Sequence, residues 1–242
     1  MITGPGLRIS LAKLPPWMIV DRRSAVPSQI KSTPVGPLPP HRLLRDWLPA
    51  HHHATLLEWV LSEEARFEPT TVVSGDREVV APEHRLSSRL PKFGPLKGTF
   101  VERVWETMPL LFEGAGTRPF EPGRVEVEIA AHNDGAHFFA HTDIPIGNRR
   151  RDLAGKTTYD RVVSAVYYFH SEPKAFSGGE LRIHRFGGDG EPGQYVDIVP
   201  ENNSLLVFPA WATHEVLRVS CPSRHFADSR FAVNCWLHRR NV

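Results

Sequence analysis

Residues 124–143 have the sequence RVEVEIAAHNDGAHFFAHTD, and this stretch decides the fold class. In its first part, aliphatic side chains alternate with Glu126 and Glu128, which is the pattern of a half-buried β-strand. The second part, HFFAHTD, is predicted as another strand that carries two histidines and an aspartate. The stretch therefore predicts antiparallel β-structure that carries histidine and aspartate side chains able to bind a metal.

The same texture continues to the C-terminus. Gly, Pro and Asn turns separate further predicted strands, namely RVVSAVYYFH, GGELRIHRF, YVDIV, NSLLVFPA, HEVLRV and RFAVNCWLHR. Upstream, RLLRDWLP and TTVVS are predicted as short strands. PAHHHATLLEWVLSEEARF and GPLKGTFVERVWETMPLLFEG are each predicted as one amphipathic helix, the second ending near Gly114 or Gly116. The pattern predicts a mainly β fold in which N-terminal helices support a β-sandwich or jelly roll.

The domain organisation follows from composition. Residues 1–40 contain eight prolines and are predicted to form an extended arm that packs on the domain at Trp17–Val20. Residues 41–242 are predicted as one domain, in which 41–122 give helical support and 123–242 the β core. A chain of 242 residues is long enough to bury a sizeable core in a single β domain.

Charge and hydropathy narrow the function classes. Hydrophobic residues make up 40% and charged residues 23%, which is typical of a globular protein. The net charge is only +2 and the arginines are spread along the chain, so no nucleic-acid partner is predicted. An apolar run of about 18 residues is missing, so no membrane span is predicted. Two cysteines and a proline-broken N-terminus do not suggest secretion, and the sequence predicts a cytoplasmic protein.

His141 and Asp143 form the start of a metal-site hypothesis. On a strand, residues i and i+2 share a face, so both side chains are expected to point the same way. A third ligand must come from another strand. The candidates are His170, His184, His214, His225 and His238. His214 is favoured because it restarts a strand after the buried segment LLVFPAWAT. Two histidines and one carboxylate form the facial triad of non-haem Fe(II) oxygenases, whereas structural zinc usually has four ligands.

Arg230 opens the last predicted strand, RFAVNCW, and alternation places Ala232, Asn234 and Trp236 on its face. A guanidinium fork pairs with a carboxylate through two hydrogen bonds. A keto acid that chelates a metal at the triad would carry its distal carboxylate to this arginine.

Residues 123–240 resemble the 2-oxoglutarate- and Fe(II)-dependent dioxygenases, in particular the prolyl-4-hydroxylase-like branch. The resembling elements are HTD, RVVSAVYYFHSEPKAFSGGELRI, VFPAWATHEV and RFAVNCW, in the order of that family. The resemblance implies a double-stranded β-helix, which is a cupin-like jelly roll. It also implies Fe(II), 2-oxoglutarate and O₂, with ascorbate as a candidate reductant.

The resemblance assigns roles to individual residues, which are expectations here. His141, Asp143 and His214 would hold Fe(II) and carry the catalysis. Arg230 and Tyr168 would hold the distal carboxylate of 2-oxoglutarate. The remaining assignments are Val216, Trp236 and Asn234 in the cosubstrate pocket and Arg161 facing the substrate.

Two departures from the family pattern bear on these roles. Some relatives have a tyrosine that contacts 2-oxoglutarate ten residues before the first histidine, and Ala131 stands there in this sequence. The gap between His214 and Arg230 is long, and Arg224 within it competes for the anchoring role. His132 and His137 are interpreted as polar-face residues rather than site residues, and Arg149–Arg151 as a solvated loop, with closure over the substrate as the alternative.

The function that the resemblance implies is hydroxylation of an unactivated C–H bond. The substrate would be a peptidyl prolyl residue or a small amino-acid-like or natural-product molecule. Two alternatives stay open at this point. One is a non-catalytic, cupin-like binding protein that keeps the metal but has no need of Arg230 and Tyr168 together. The other is an oxygen-sensing prolyl hydroxylase, which would share every motif. The oligomeric state is not predicted.

Overall fold

Two antiparallel sheets form the body of the computed structural model, which describes residues 36–74, 77–144, 159–187, 191 and 193–240. In these ranges the strands are β1 (Arg42–Arg45), β2 (Glu68–Pro69), β3 (Val72–Ser74), β4 (Arg77–Val79), β5 (Arg85–Leu86), β6 (Ser88–Leu90), β7 (Pro122–His132), β8 (His137–His141), β9 (Tyr159–Phe169), β10 (Ser177–Gly178), β11 (Leu181–His184), β12 (Tyr195–Ile198), β13 (Ser204–Pro209), β14 (His214–Val216), β15 (Val219–Ser220) and β16 (Arg230–Arg240). The helices are α1 (Ala50–Ser62), α2 (Lys97–Glu106) and α3 (Met108–Gly114).

The larger sheet has the strand order β1-β13-β9-β16-β7-β6-β2, and the smaller sheet has the order β12-β11-β14-β8-β5. Short pairs, β10-β15 and β3-β4, complete the described strands. From β7 to β16 the chain crosses repeatedly between the two large sheets, with β7, β9, β13 and β16 in the larger sheet and β8, β11, β12 and β14 in the smaller one. This is the topology of a double-stranded β-helix, or jelly roll. The predicted fold class is therefore confirmed.

The larger sheet is buried on both faces, and β16 shows how. Its residues Phe231, Val233, Cys235 and Leu237 belong to a hydrophobic cluster with helix side chains such as Phe100 and Leu111. Ala232 belongs to a second cluster on the opposite face, which also contains Leu181 and Ile183 of the smaller sheet. The helices therefore cover the outside of the larger sheet, and the smaller sheet closes over its inside.

The helix predicted over residues 94–114 is two helices instead of one. The helical segment breaks at Thr107, between α2 and α3. Pro109 has no N–H to donate to the carbonyl of the preceding turn, but it fits in the first turn of a new helix. The break is also held from outside, because the Trp47 indole donates a hydrogen bond to the Thr107 hydroxyl at 3.1 Å. The predicted end near Gly114 is confirmed.

The polar side of β7 faces the inside of the barrel. In the antiparallel pairing of β7 with β16, Glu128 is opposite Asn234 and Glu126 is opposite Trp236. Residues paired across two strands share a face of the sheet. The alternation in the sequence therefore marks an interior wall lined by charge.

Of the predicted arm, only residues 36–40 are among the described residues, and Trp17–Val20 lie outside them. Gly36 donates a backbone hydrogen bond to Phe186 at 2.8 Å. The boundaries at residues 40 and 122 stay predictions. None of the helices in the described ranges is both long and apolar enough to cross a bilayer.

Candidate active site

The structure brings His141, Asp143 and His214 together, with one ligand atom of each within 4.8 Å of the others. Nε2 of His141 is 4.0 Å from Oδ1 of Asp143, and Nε2 of His214 is 3.7 Å from Oδ2. In the described parts of the chain this is the one such group of three His, Cys, Asp or Glu side chains. The three atoms converge as metal ligands must.

Strand pairing places the two histidines. β14 runs antiparallel to β8, and His214 is directly opposite His141. Asp143 lies beyond the end of β8, in a bend, and its backbone N–H donates to the Ala210 carbonyl at 3.0 Å. The strand predicted over HFFAHTD is thus too long, because it ends at His141. The bend, and not strand alternation, carries Asp143 to the histidines.

A β-bulge in β8 decides which of its side chains face inward. On β14 the pairing advances from His214 to Val216, while on β8 it advances from His141 to Phe138, which is one residue more. An extra residue of this kind interrupts the alternation of side chains. Phe138 and His141 therefore share the interior face, and Phe139 lies outward with 53% of its surface exposed.

Backbone carbonyls fix the tautomer of both histidines. Nδ1 of His141 lies 2.8 Å from the Phe139 carbonyl, and Nδ1 of His214 lies 2.9 Å from the Ala212 carbonyl. A carbonyl can only accept, so Nδ1 carries the proton and donates, which leaves the lone pair on Nε2. Burial lowers the pKa of His141 to about 3, so its imidazole is neutral near pH 7 and available to a metal.

The Asp143 carboxylate is held in its ionised form. Its Oδ2 accepts a hydrogen bond of 2.6 Å from the Ser164 hydroxyl. Burial raises the pKa of Asp143, but His214, His141 and the hydroxyl outweigh burial and lower the pKa below its usual value. A carboxylate that is ionised and held at one oxygen is suited to bind a cation.

This donor set fits Fe(II). Two neutral imidazole nitrogens and one carboxylate oxygen occupy three positions of an octahedron and leave three open. Chemistry on O₂ requires such open positions, and a closed structural zinc site would require a fourth protein ligand.

Arg230 is buried in the barrel without a counter-ion. Its residue surface is 1% exposed, and its Nη1 lies 3.2 Å from Nδ1 of His132. Its Nε and Nη2 have no hydrogen-bond partner, and no carboxylate of the described residues forms an ion pair with it. A buried charge is stable only when it is paired, so this guanidinium requires an anion.

Tyr168 completes the same pocket. The guanidinium carbon of Arg230 lies 4.9 Å from the centre of the Tyr168 ring. Among the described residues, no group is placed to form a hydrogen bond of normal geometry with the buried phenol oxygen, whose nearest charged neighbour is Arg230. Burial raises the pKa of Tyr168 to about 12, so the phenol keeps its proton and can donate. One phenol and two guanidinium nitrogens that lack partners match a carboxylate, which is the group the sequence expected here.

The backbone packs closely at Gly178 and Gly179, just before β11 begins. Gly179 has a φ of +71°, and a Cβ at this position would lie 2.7 Å from Cδ of Arg230. Gly178 has a φ of +70°, and its Cβ would lie 2.3 Å from the Arg218 carbonyl oxygen. Both positions need glycine, and Gly179 leaves room for the arginine stem.

Arg224 occupies a different environment from Arg230. Its side chain is 77% exposed, and its Nε lies 3.2 Å from the Asp134 carboxylate at the surface. It lies on the loop between β15 and β16, with a φ of +57°. The position of Arg224 therefore favours Arg230 as the anchor of a ligand carboxylate.

The other predicted residues follow the interior wall. Val216 shares the face of His214 one pairing further along β14, and Asn234 is opposite Val166 on β9. Trp236 lies beside Asp143, whose pKa its indole helps to lower. Arg161 stacks on Trp236, with its guanidinium carbon 3.8 Å from the ring centre.

Arg161 already has a carboxylate partner. Its Nη2 donates to Glu126 at 3.0 Å and its Nε donates to the other oxygen of Glu126 at 3.3 Å. His238 lies against the same carboxylate, with Nε2 at 2.8 Å from Oε2. Glu126 therefore neutralises Arg161 within the barrel, and the role of Arg161 towards the substrate stays a prediction.

The sequence did not predict three residues that lie in the site, namely His132, Ser164 and Glu126. His132, interpreted as a polar-face residue, contacts Arg230 and is only 4% exposed. Ser164 was not singled out, although alternation along β9 places it on the face of Tyr168. The sequence places Glu126 only on the polar side of a strand.

His137 faces away from the triad, with Nδ1 at 3.0 Å from the Gly135 carbonyl. Arg149–Arg151 lie outside the described residues.

Comparison with known proteins agrees with this geometry. Residues 127–238 match the sequence model of the 2OG-Fe(II) oxygenase superfamily. The chain is 37% identical over 153 residues to an uncharacterized PKHD-type hydroxylase of Synechocystis, which covers 62% of the chain and 48% of that protein. The chain thus spans about half the length of this curated relative.

Two solved structures share the fold. A prolyl-4-hydroxylase of Pseudomonas putida has a TM-score of 0.57 at 20% identity, covering 83% of the chain and 94% of that structure. A Trichoplax adhaerens prolyl hydroxylase, solved with a hypoxia inducible factor peptide, has a TM-score of 0.56 at 17% identity, covering 81% of the chain and 82% of that structure.

Proposed function

We propose that this chain, whose residues 127–238 match the sequence model of the 2OG-Fe(II) oxygenase superfamily, is an Fe(II)- and 2-oxoglutarate-dependent dioxygenase that hydroxylates an unactivated C–H bond. The observation that carries the proposal is the pairing of two sites in one barrel. Three convergent ligand atoms lie at the triad, and the guanidinium of Arg230 is buried where no described carboxylate pairs with it.

Each residue has a stated role in this proposal. His141, Asp143 and His214 would hold Fe(II), which would supply O₂ activation coupled to oxidation of 2-oxoglutarate to succinate and CO₂. Arg230 and Tyr168 bind the distal carboxylate of 2-oxoglutarate. Ser164 fixes Asp143 by its hydrogen bond.

The remaining wall residues shape the reaction chamber. Val216, Asn234 and Trp236 line the pocket beside the cosubstrate and limit the access of water. Arg161 lies near Trp236, where it orients the substrate through those N–H groups that Glu126 leaves free.

The substrate that we propose is a prolyl residue of a peptide or a small amino-acid-like molecule. The fold shared with prolyl hydroxylases supports this class. From the sequence we also predict a cytoplasmic location and stimulation of the activity by ascorbate. A non-catalytic binding protein would have no need to keep Arg230 and Tyr168 together in one buried pocket.

The test is 2-oxoglutarate binding to the Mn(II)-loaded protein by calorimetry. Truncating one partner of a buried charge pair costs about 2–5 kcal/mol, so Arg230→Met should weaken Kd at least about 30-fold. Arg224→Met, which removes an arginine at the surface, should leave Kd within about twofold. Equal effects of both variants, or no binding by the wild type, would contradict the proposal.

A further inference from the structure

We propose that Phe138 is a positioning residue for the metal ligand His141. This inference rests on the proposed metal site but not on the identity of the substrate. The Phe138 ring stacks on the His141 imidazole, with centroids 3.6 Å apart and an interplanar angle of 22°. The β8 bulge creates the contact, because without it the two side chains would lie on opposite faces of the strand.

The stack restrains a motion that the hydrogen bond allows. Nδ1 of His141 is tied to the Phe139 carbonyl at 2.8 Å, which fixes the tautomer. A single N–H···O bond still allows the imidazole plane to rotate about the line of that hydrogen bond. The flat face of Phe138 blocks this rotation, and so determines the direction in which Nε2 presents its lone pair.

The surrounding protein restrains the His214 side chain more than the His141 side chain. The His214 side chain is 5% exposed and lies against Phe208 with ring centroids 4.7 Å apart. The His141 side chain is 21% exposed. His141 has less surrounding protein to hold it, so a larger share of its restraint comes from Phe138.

Phe138 is itself held in place by Arg85. The two residues are directly paired between β5 and β8, and the guanidinium carbon lies 4.8 Å from the Phe138 ring centre. Nη2 of Arg85 donates to Glu128 on β7 at 3.3 Å. This chain of contacts connects the positioning ring to both sheets, and a cation over an aromatic face contributes further stabilisation.

The experiment measures Mn(II) affinity by calorimetry, which needs no substrate and no turnover. Loss of a side chain that orients a metal ligand typically weakens metal affinity 10–100-fold. Phe138→Leu, which keeps apolar bulk but loses the flat ring, should therefore raise the Mn(II) Kd at least about tenfold. Phe138→Tyr, which keeps the stack, should stay within about twofold of the wild type. The Co(II)-substituted protein should show a shifted ligand-field spectrum in Phe138→Leu only.

The matched control is Phe176→Leu. Phe176 is 6% exposed and lies beside His170, with ring centroids 5.4 Å apart. It is thus a buried phenylalanine next to a histidine outside the triad. Its substitution should lower the melting temperature without a change in Mn(II) affinity. Should Phe138→Leu not fold, Phe138→Met supplies the same comparison with a flexible side chain.

A Phe138→Leu or Phe138→Met protein that binds Mn(II) like the wild type, with an unchanged Co(II) spectrum, overturns the inference. Equal loss of affinity in Phe176→Leu also overturns it, because the effect would then be general destabilisation. Failure of the proposed function is distinguishable. A wild type that binds Mn(II) and loses affinity on Phe138→Leu, yet never oxidises 2-oxoglutarate, contradicts the function and leaves the positioning role supported.

Discussion

Two arginines on adjacent strands of the larger sheet, Arg230 and Arg161, differ in what neutralises them. Arg230 is 1% exposed, and none of the described carboxylates pairs with it. Arg161 has a side chain that is 24% exposed and forms a two-pronged ion pair with Glu126. At the Arg161 end of the interior wall the cation is therefore neutralised within the protein. At the Arg230 end no described carboxylate neutralises the cation.

The difference shows how to tell a structural arginine from a ligand-binding one. Burying a charge without a partner costs several kcal/mol, so a fold that keeps such a group gains from it only when an anion binds. Arg161 has its anion within the chain. Arg230 has two guanidinium nitrogens without a partner among the described residues, and the Tyr168 phenol lies in the same pocket, so the donors there match the oxygens of a ligand carboxylate.

The strongest perturbation of the Arg230 end is Gly179→Ala. The new Cβ would lie 2.7 Å from Cδ of Arg230 and 2.9 Å from Cγ2 of Val219, at a φ of +71°. Backbone strain of about 1–2 kcal/mol and overpacking of about 1–3 kcal/mol should add, and 2-oxoglutarate affinity should fall as the arginine shifts. Gly187→Ala is the control, since its φ is +73° and its Cβ would contact nothing within 4 Å.

Urea unfolding with and without 2-oxoglutarate measures both effects. Gly187→Ala should cost only the backbone strain and leave cosubstrate affinity unchanged. Equal losses of unfolding free energy in the two variants would show that Arg230 is not packed against Gly179 as described.

A smaller effect is expected at the Arg161 end from Glu126→Gln. Burial raises the pKa of Glu126, but His238 and Arg161 outweigh burial and lower the pKa from 4.5 to about 2. A carboxylate whose pKa is lower in the folded state stabilises the fold above its unfolded pKa, and this stabilisation disappears as the pH falls through the folded pKa. Glu126→Gln should therefore lower the unfolding free energy by roughly 2 kcal/mol at pH 7.

The pH dependence is the sharper part of this prediction. The difference between wild type and Glu126→Gln should be constant above about pH 5 and close as the pH falls from 4.5 towards 2, when wild-type Glu126 becomes protonated. Urea titrations at a series of pH values measure it. A difference that does not change with pH would assign the loss to packing and not to the charge of Glu126 beside Arg161.

The long regular strands were predictable from sequence. β7 and β16 each run for 11 residues, and alternation separates their two faces correctly up to the register shift near His238. The face of Arg230, Asn234 and Trp236 follows from period two alone. The hydrophobic positions of β16 against the helices follow from the same argument.

Short, irregular segments were not predictable in the same way. The β8 bulge changes which side chains face inward within a strand of five residues, and the sequence HFFAH contains no residue that predicts a bulge. Asp143 reaches the histidines through a bend beyond the strand. The break at Thr107 could have been found, because Pro109 is visible in the sequence and cannot continue a helix. The Arg161–Glu126 pair could not, since it joins residues 35 apart in sequence.

Succinate formation from 2-oxoglutarate, with Fe(II), O₂ and ascorbate and without added substrate, tests the central claim most directly. The account predicts slow turnover in the wild type, with O₂ consumed in step with succinate. It predicts none in His141→Ala, and reduced turnover, recoverable at high 2-oxoglutarate, in Arg230→Ala. Turnover that is indifferent to both substitutions would contradict a single oxygenase site. So would a wild type that neither turns over nor binds 2-oxoglutarate when it is loaded with metal.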